Sequence, residues 1–228
     1  ITPIRQYRGA NALPRELKLF SNNGETYLSA NVVEEARALR KETKEIGQVE
    51  VDNANPYVQR NLFSNNNGAF EIEADINPGN SDVVGLSLFN DKEERTLVYL
   101  DLKNKRLVMD RTESGLTDFG KQAERHNIEK AAEAAGQMKG KLSQDIAMNY
   151  KNDFALATWA PLSLCGDAQD MKEGVYHLDI FVDKCSVEIF VNGGRIAMTN
   201  LVFPTQPYNN LKVWAEGGKA QIANAKAY

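Results

Sequence analysis

The chain has 228 residues, 42% hydrophobic and 25% charged, so it can bury a core and suits one large all-β domain or two small ones. Its 27 basic and 31 acidic residues are spread along the sequence and give a net charge of -4, which argues against nucleic acid or an anionic membrane as a partner. No apolar run approaches the roughly 18 to 20 residues of a membrane-spanning helix. The start "ITPIRQYRG" lacks an initiator Met and a signal-peptide core, so we expect Ile1 to mark a cut inside a longer protein.

Short runs of period-two alternation, separated by Asn, Gly and Asp, dominate the sequence and predict antiparallel strands. The clearest predicted strands are 70–76, 83–89, 96–102, 106–111, 176–182, 187–191, 195–199, 211–216 and 220–227. Tight connections at 103–105, 192–194 and 217–219 predict hairpins. So many short strands at this spacing predict an all-β fold, an antiparallel two-sheet β-sandwich of the concanavalin or lectin type.

Two stretches depart from this pattern. Residues 32–46, "VVEEARALRKETKEI", have a helix-forming composition but equally fit a charged edge strand with a loop, and both alternatives stay open. Residues 121–148 are rich in Ala, Glu, Lys and Gln without alternation, which predicts a helical insertion near 121–150. An insertion on the surface without a chemical role is favoured there over an interaction surface, because loops tolerate long insertions at little entropic cost.

The run "HLDIFVDKCSVEIFVNGGRIAMT", residues 177–199, places carboxylates among alternating apolar residues. A four-residue turn over 183–186, in which Asp183 accepts backbone N–H bonds, predicts a hairpin. Its predicted pairs are Val182 with Val187, Ile180 with Ile189 and Leu178 with Val191 on one face, and Phe181 with Glu188 and Asp179 with Phe190 on the other.

This register makes Asp179 and Glu188 diagonal neighbours at roughly 7 to 8 Å. Inverting glycosidases hold their two carboxyls about 6.5 to 9.5 Å apart, so distance alone permits catalysis. A general acid, however, needs burial to raise its pKa, and the outer face of a hairpin offers none unless something covers it. We therefore expect a structural hairpin with these carboxylates on the solvent side.

Exposed aromatic side chains are the candidates for binding a sugar ring. The substrate-binding candidates are Trp159, Trp214 and Tyr208, with Tyr99 and Tyr176 as further members of the set. Each has the alternative of filling the core, because aromatic residues in strands pack well there, and for Trp214 only the pleat decides which face it takes.

Histidines and cysteines give no metal-binding pattern. His126 and His177 lie far apart, and Cys165 and Cys185 have no C-x-x-C spacing, so we expect two thiols, no metal and no other cofactor. His177 starts a strand and is expected to be a surface imidazole, and His126 has no partner in sequence. The absence of an Asn-x-Ser/Thr sequon favours a bacterial source over a eukaryotic secreted one.

Four segments of the sequence carry a resemblance to a known family. They are "YRGANALPREL" (7–17), "VYLDLKNKRLVMDRTESG" (98–115), "FALATWAPL" (154–162) and "FVDKCSVEIFVNGG" (181–194) followed by "MTNLVFP" (198–204). Together they resemble the C-terminal β-sandwich of glycoside hydrolase family 32. Cys185 stands where the family commonly has Ser. These segments span nearly the whole chain in the expected order.

The resemblance implies a role within an enzyme. Family members cleave fructose-containing sugars such as sucrose, inulin and levan with retention of configuration, using an N-terminal five-bladed β-propeller. That propeller carries an Asp nucleophile in W-M-N-D-P-N-G, a stabilising Asp in R-D-P and a Glu acid/base in E-C. This chain has no Asp-Pro or Glu-Cys dipeptide, and Asn90-Asp91 is followed by Lys92, so no catalytic residue is carried over to it.

The family resemblance predicts residues 1–20 as a linker to the propeller and residues 21–228 as the sandwich with its insertion. The predicted function is that of a non-catalytic module supporting the propeller of the same polypeptide, and the insertion, if it folds over the propeller, would limit substrate access. The alternatives are a stand-alone carbohydrate-binding module that binds fructan and an unrelated sandwich with a protein partner. The resemblance favours a periplasmic or extracellular location in a bacterium over a cytoplasmic one.

Overall fold

The computed structural model describes residues 11–63, 68–118, 130, 154–166 and 174–228 of the chain. Apart from Lys130, the predicted insertion at 121–150 lies outside the described residues, and so does His126. No helix in the described part of the chain combines the length and the apolar composition needed to cross a membrane.

Fourteen strands and two short 3-10 helices form the regular structure of the described residues. In chain order the strands are β1 (Arg15–Asn22), β2 (Glu25–Val32), β3 (Lys44–Val51), β4 (Tyr57–Gln59), β5 (Phe70–Asn77), β6 (Val83–Phe89), β7 (Arg95–Asp101), β8 (Arg106–Asp110), β9 (Ala157–Pro161), β10 (Tyr176–Asp183), β11 (Ser186–Val191), β12 (Ile196–Leu201), β13 (Asn210–Glu216) and β14 (Ala220–Ala227). The 3-10 helices span Glu34–Leu39 and Leu162–Cys165.

Strands β3 to β14 form two six-stranded antiparallel sheets. The first sheet has the order β12-β11-β10-β5-β14-β3, and the second has the order β4-β13-β6-β7-β8-β9. Strands β1 and β2 pair only with each other. The all-β, two-sheet antiparallel sandwich predicted from the alternation is thus confirmed.

One hydrophobic core lies between the two sheets, because each strand turns every second side chain inward. The inward residues with at most 2% exposure include Ile72, Ile76, Ile180 and Ile189 from the first sheet and Leu86, Leu88, Leu100, Leu107 and Met109 from the second. Burying a side chain of this size stabilises the fold by about 1.5 to 3 kcal/mol relative to leaving it in water. The core therefore fixes which face of each strand points outward.

The predicted register of the hairpin β10–β11 is confirmed. Asp183 lies opposite Ser186, Ile180 opposite Ile189 and Asp179 opposite Phe190. The predicted hairpins at 103–105 and 192–194 also occur, joining β7 to β8 and β11 to β12.

The prediction of a hairpin at 217–219 is wrong. Strand β13 pairs with β4 and β6 in the second sheet, whereas β14 pairs with β3 and β5 in the first sheet. The short Gly217-Gly218 connection carries the chain from one sheet to the other. Alternation shows which side chains point inward, but a strand can satisfy it in either of two facing sheets.

Residues 32–46, for which two alternatives were open, divide between both. The 3-10 helix Glu34–Leu39 comes first, and strand β3 then begins at Lys44 on the edge of the first sheet. The boundary predicted between residues 20 and 21 lies inside strand β1, so the hairpin β1–β2 is one unit that spans it.

The hairpin β1–β2 is attached to the first sheet near strands β11 and β12. The backbone N–H of Ala30 donates to the carbonyl of Gly194 at 2.9 Å, and the Asn22 amide donates to the carbonyl of Ser163 at 2.8 Å. The guanidinium of Arg195 lies 4.8 Å from the ring centre of Phe20. Val32 of β2 also packs with Ala36 and Phe190 in a small second hydrophobic cluster. Polar, cation–π and apolar contacts outside the main core therefore hold the hairpin.

Candidate functional site

The outer face of the first sheet carries the carboxylates in question. Glu71 and Glu73 lie on β5, Asp179 on β10 opposite Glu73, and Glu188 on β11 opposite Phe181. Only 5% of Glu71, 3% of Asp179 and 4% of Glu188 is exposed. The prediction that Asp179 and Glu188 lie on the solvent side is therefore wrong. We call Glu71, Glu73, Asp179 and Glu188 together the carboxylate face.

Two arginines from the segment after β2 cover this face. Arg37 pairs with Glu71, and its Nη2 lies 2.7 Å from Asp179 Oδ2. Arg40 donates from Nε to Glu71 Oε2 at 2.8 Å and from Nη2 to Glu73 Oε1 at 2.5 Å. Charges removed from water need partners of opposite sign, and the two guanidinium groups supply them.

Asp179 is the carboxyl least suited to ionise. Burial raises its pKa to about 7, the nearby Glu71 adds to the rise, and the hydrogen bond from Arg37 offsets it only in part. Asp179 Oδ1 has no hydrogen-bond partner among the described residues, which makes it the atom where a proton can reside. Arg37 and Arg40 are both positively charged, whereas Asp179 can be neutral.

Glu73 behaves in the opposite way. Burial opposes its ionisation, but hydrogen bonds from Tyr228 and Arg40 outweigh that effect and hold the pKa of Glu73 below its usual value. The Tyr228 hydroxyl donates to Glu73 Oε2 at 2.7 Å, and the Arg40 guanidinium lies 3.7 Å from the Tyr228 ring centre. Tyr228 thus contacts both Glu73 and Arg40 in this network.

Glu188 forms a separate contact that fixes the segment before β1. Its carboxylate accepts a hydrogen bond from Arg15 Nη2 at 2.9 Å, from the backbone N–H of Leu13 at 2.8 Å and from Thr199 Oγ1 at 3.0 Å. Arg15 belongs to "LPREL" and Glu188 to "SVEIFV", two segments on which the family resemblance rests. In this fold they meet as an ion pair.

The chemistry open to the carboxylate face is limited by these partners. Oxygens of Glu71, Glu73 and Asp179 lie within 4.8 Å of one another, a spacing that would suit a metal ion. The guanidinium groups of Arg37 and Arg40 already occupy that space. This buried, arginine-neutralised cluster holds separate segments of the chain together.

The sequence carried a signal for this network. Alternation in "FEIEADI" places Glu71, Glu73 and Asp75 on one face of β5, and three acids in a row need cations nearby. Arg37 and Arg40 were not predicted as partners, because nothing local shows that the segment after β2 folds back over β5. His177, half exposed, pairs with Asp75 at 2.7 Å at the rim of the same face.

The outer face of the second sheet is aromatic. Pairing places Trp214 on β13 opposite Gly85 on β6, Gly85 opposite Tyr99 on β7, Tyr99 opposite Val108 on β8, and Val108 opposite Trp159 on β9. The three aromatic residues therefore lie in one row across five strands. Trp159 is 58% exposed, and the other two rings are partly exposed. We call Trp214, Tyr99 and Trp159 the aromatic face.

Gly85 makes this row compact. A Cβ atom at position 85 would overlap the Cβ of Tyr99 and come within 3.0 Å of Trp214 Cη2. Without one, the rings of Tyr99 and Trp214 approach to 6.4 Å between centres. At the other end of the row, the Arg106 guanidinium lies 5.6 Å from the centre of the Trp159 ring.

An open depression of about 570 Å³ adjoins Trp214 and Tyr99. Its polar lining includes Asp82, Asp101, Lys103, Asn104 and Glu216. A neighbouring depression of about 860 Å³ shares Leu97, Trp214 and Glu216 with it. The volumes are of the size that ligand sites have, although the lining here is open rather than enclosed.

The remaining aromatic candidates lie elsewhere. Tyr208 is 1% exposed, and its hydroxyl lies 3.0 Å from Thr96 Oγ1 and donates to the carbonyl of Ser114 at 2.8 Å. Burial raises the pKa of Tyr208. Tyr176 packs against the main core. Tyr208 therefore fills the interior, and Tyr176 is partly buried against the core.

Comparison with known proteins shows the family to which the chain belongs. The sequence pattern of the family described as "Glycosyl hydrolases family 32 C terminal" matches residues 35–228. The chain belongs to this family. The predicted resemblance is thereby confirmed, and the matched range begins just after the hairpin β1–β2.

Curated relatives of this family 32 C-terminal domain include two levanases. A levanase of Bacillus subtilis (strain 168) is 25% identical over 222 residues, which are 96% of this chain and 27% of the relative. A levanase of Bacillus sp. (strain L7) is 23% identical over 229 residues, covering 99% of this chain and 20% of the relative. The family 32 C-terminal domain thus spans about a quarter or less of these relatives.

Solved structures share its fold at low identity. An exo-inulinase from Aspergillus awamori has a TM-score of 0.66 and 18% identity, with 99% of this chain and 37% of that chain covered. A fructofuranosidase from Schwanniomyces occidentalis has a TM-score of 0.57 and 14% identity, with 98% and 42% covered. In both, as in the levanases, this fold is one part of a longer protein.

The family's motif "DRTESG" also has a structural role here. The Arg111 guanidinium lies 4.1 Å from the ring centre of Phe154 and donates to the carbonyl of Leu201 at 3.1 Å. Gly115, at φ +118, packs against the Phe203 backbone where a Cβ would overlap. Phe154 in turn stacks on Phe203 at 5.3 Å. The segments that mark the family are joined to one another in space.

Proposed function

We propose that this chain is the non-catalytic C-terminal module of a family 32 enzyme that acts on fructose-containing sugars such as sucrose, levan and inulin. In this proposal the module supports a catalytic five-bladed propeller in the same polypeptide. Three observations favour it: the described carboxylate cluster is neutralised by arginines, the family motifs make structural contacts, and the levanase relatives are far longer than this chain.

The observation that carries the proposal is the apolar side of the hairpin β1–β2. Leu17 is 61% exposed, Leu19 is 74% exposed and Leu28 is 56% exposed. Leu19 lies opposite Leu28 and Leu17 opposite Ala30, so the three leucines share one side of the hairpin. Leucines grouped in this way on a surface mark a site where another surface packs.

The hairpin is suited to join two domains. A two-stranded hairpin is marginally stable by itself, and this one lies outside the range that the family pattern matches. Arg15 pairs with Glu188 and Val32 is buried at one end of the hairpin. Leu19 and Leu28, farther along the same side, stay exposed and are available to the preceding domain. In the proposal, the hairpin packs against the propeller, and this contact lets the sandwich stabilise the propeller.

A periplasmic or extracellular location in a bacterium is part of this proposal. Polymers such as levan and inulin are too large to cross a membrane unaided, so an enzyme that cleaves them meets its substrate outside the cytoplasm.

The proposal also includes the prediction that the insertion near 121–150 folds over the propeller and limits substrate access. Deleting residues 121–150 from the complete enzyme should then change its selectivity between sucrose and long fructans.

The test uses the complete protein encoded by the open reading frame that contains this chain. Leu19→Asp should lower its melting temperature and its rate of fructose release, because a carboxylate on the leucine side cannot pack in an apolar interface. The matched control is Leu116→Asp, which changes a leucine of 44% exposure in the loop after β8 and should leave both values unchanged. Equal behaviour of the two variants would contradict the docking role, and fructose release by this chain alone would contradict a non-catalytic module.

A further inference from the structure

The row of aromatic side chains lies on the second sheet, whereas the hairpin β1–β2 with its leucine side contacts the first sheet. The ring centres of Trp214 and Tyr99 lie 6.4 Å apart. Neighbouring strands lie about 4.7 to 4.9 Å apart, so the backbone positions of Tyr99 and Trp159, two strands apart, are separated by about 9 to 10 Å. The three side chains form a linear platform across the sheet. No described residue of the hairpin lies on this sheet, whose strands pair only among themselves.

We propose that the aromatic face binds a chain of neutral sugar rings. The faces of Trp and Tyr rings are electron-rich, and the C–H groups on one side of a sugar ring are weakly positive, so the two surfaces attract while excluding water. A linear platform favours several rings of one chain over a single small sugar. The site therefore has the geometry for a polysaccharide.

The charges around the row favour a neutral ligand. In the depression beside Trp214 and Tyr99, Lys103 Nζ lies 3.6 Å from Asp82 Oδ2. Asp101 accepts hydrogen bonds from Arg106 at 3.1 Å and from the Asn104 amide at 2.8 Å. Lys103 and Arg106 thus offset Asp82 and Asp101, and Glu216 adds a further acidic group to the lining, so the depression disfavours a polyanion.

The same polar groups suit hydroxyls. A sugar hydroxyl can donate to a carboxylate and accept from an ammonium or an amide, and the depression offers all three. Hydrogen bonds of this sort orient a ligand that the aromatic rings hold. A protein partner would instead be expected to need a broad apolar patch, which this face, with single rings between charged residues, does not offer.

The two tryptophans provide a direct signal for binding. The sequence contains 2 Trp residues, Trp159 and Trp214, and both belong to the aromatic face. Intrinsic tryptophan fluorescence of this chain therefore reports only on that surface. Titration with levan or with inulin should shift or quench the emission, whereas polyethylene glycol of similar size, which has no sugar rings, should not.

Variants then locate the site. Isothermal titration calorimetry with levan should show a loss of affinity of about tenfold or more for Trp214→Ala and for Trp159→Ala, as is typical when an anchoring aromatic is removed. The control is Tyr27→Ala, which removes a partly exposed aromatic ring from the hairpin and should leave binding unchanged. Circular dichroism spectra and melting curves identify any variant that has lost its fold, and the exposed position of Trp159 makes that variant the safer of the two.

Three results would overturn the proposal. They are the absence of any fluorescence change or heat with levan and inulin, an equal loss of affinity in Tyr27→Ala, and light scattering that shows a dimer which Trp159→Ala dissociates. The last result would assign the face to a second copy of the chain.

The choice of levan and inulin rests on the proposed function, but the binding assay needs no hydrolysis. In the complete enzyme, Trp214→Ala should raise KM for levan and leave KM for sucrose unchanged, because only a polymer reaches from the platform to a distant active site. Failure of Leu19→Asp to affect the enzyme would count against the docking role alone. Absence of sugar binding by this chain would count against the aromatic platform alone.

Discussion

Replacing Asp179 with asparagine tests whether one buried carboxyl makes the stability of the sandwich depend on pH. Asn has nearly the same shape as Asp, it can still accept the hydrogen bond from Arg37, and it cannot ionise. Burial raises the pKa of Asp179 from 3.8 to about 7 in the folded chain. The wild type and Asp179→Asn should therefore respond differently to pH.

The direction in which stability changes with pH follows from proton binding to Asp179. Between the pKa of the unfolded chain and that of the folded chain, the folded form keeps a proton on Asp179 that the unfolded form has released. Raising the pH through this window therefore favours the unfolded state, and the contribution that is present below about pH 4 is lost by about pH 7. The difference of about 3 pKa units corresponds to as much as about 4 kcal/mol in the free energy of unfolding.

Urea unfolding at several pH values from 4 to 8 measures this difference. We expect Asp179→Asn to gain stability relative to the wild type as the pH rises, because the variant has no ionisation to suppress. The control is Asp183→Asn, which changes an exposed aspartate in the turn of the same hairpin. A pH trend of the same size in this control would show that the effect does not come from the burial of Asp179. If the Asp179→Asn difference stays flat, the raised pKa of Asp179 is refuted.

Three further predictions concern single contacts. Arg15→Ala should lower the free energy of unfolding by about 2 kcal/mol, since it leaves the buried Glu188 carboxylate without its cation, and urea unfolding measures this. Tyr208→Phe should cost about 1 to 3 kcal/mol in the same assay, because the buried hydroxyl has two hydrogen-bond partners that would be left unsatisfied. Cys165 and Cys185 are buried and burial raises the pKa of Cys165 to about 12, so a thiol reagent at pH 8 should label neither in the native chain and both in urea.

Each of these predictions has a clear contrary result. A stability of Arg15→Ala equal to that of the wild type would mean that solvent replaces the arginine at Glu188. An unchanged Tyr208→Phe would mean that the buried hydroxyl contributes no net hydrogen bonding. Rapid labelling of one thiol in the native chain would show that the core around that cysteine opens readily.

Local pattern determined much of this fold. The alternation of "YHLDIFV" and "SVEIFV" and the turn between them are enough to fix a hairpin register, because a shift of one residue would turn Ile180 and Ile189 out of the core. The family segments likewise lie in the sequence itself and require no structure to be read. Short-range pairing and motif order were therefore predictable.

Other features depend on contacts between distant segments. Strand β13 lies between β4 and β6 in one sheet and β14 lies between β5 and β3 in the other, although their alternation would be the same if they paired with each other. Trp214, Tyr99 and Trp159 form one row only because β13, β6, β7, β8 and β9 are neighbours in that order. Neither fact is encoded in the spacing of the residues along the chain.

The sequence by itself determined nine of the fourteen described strands, the register of the hairpin β10–β11, the family and the absence of its catalytic motifs. The tertiary structure decided the environment of Asp179 and Glu188. The same alternation that puts these carboxylates on the outer face cannot show that Arg15, Arg37 and Arg40 fold back over it. Burial is a property of what packs against a face, so it is set by residues more than a hundred positions away.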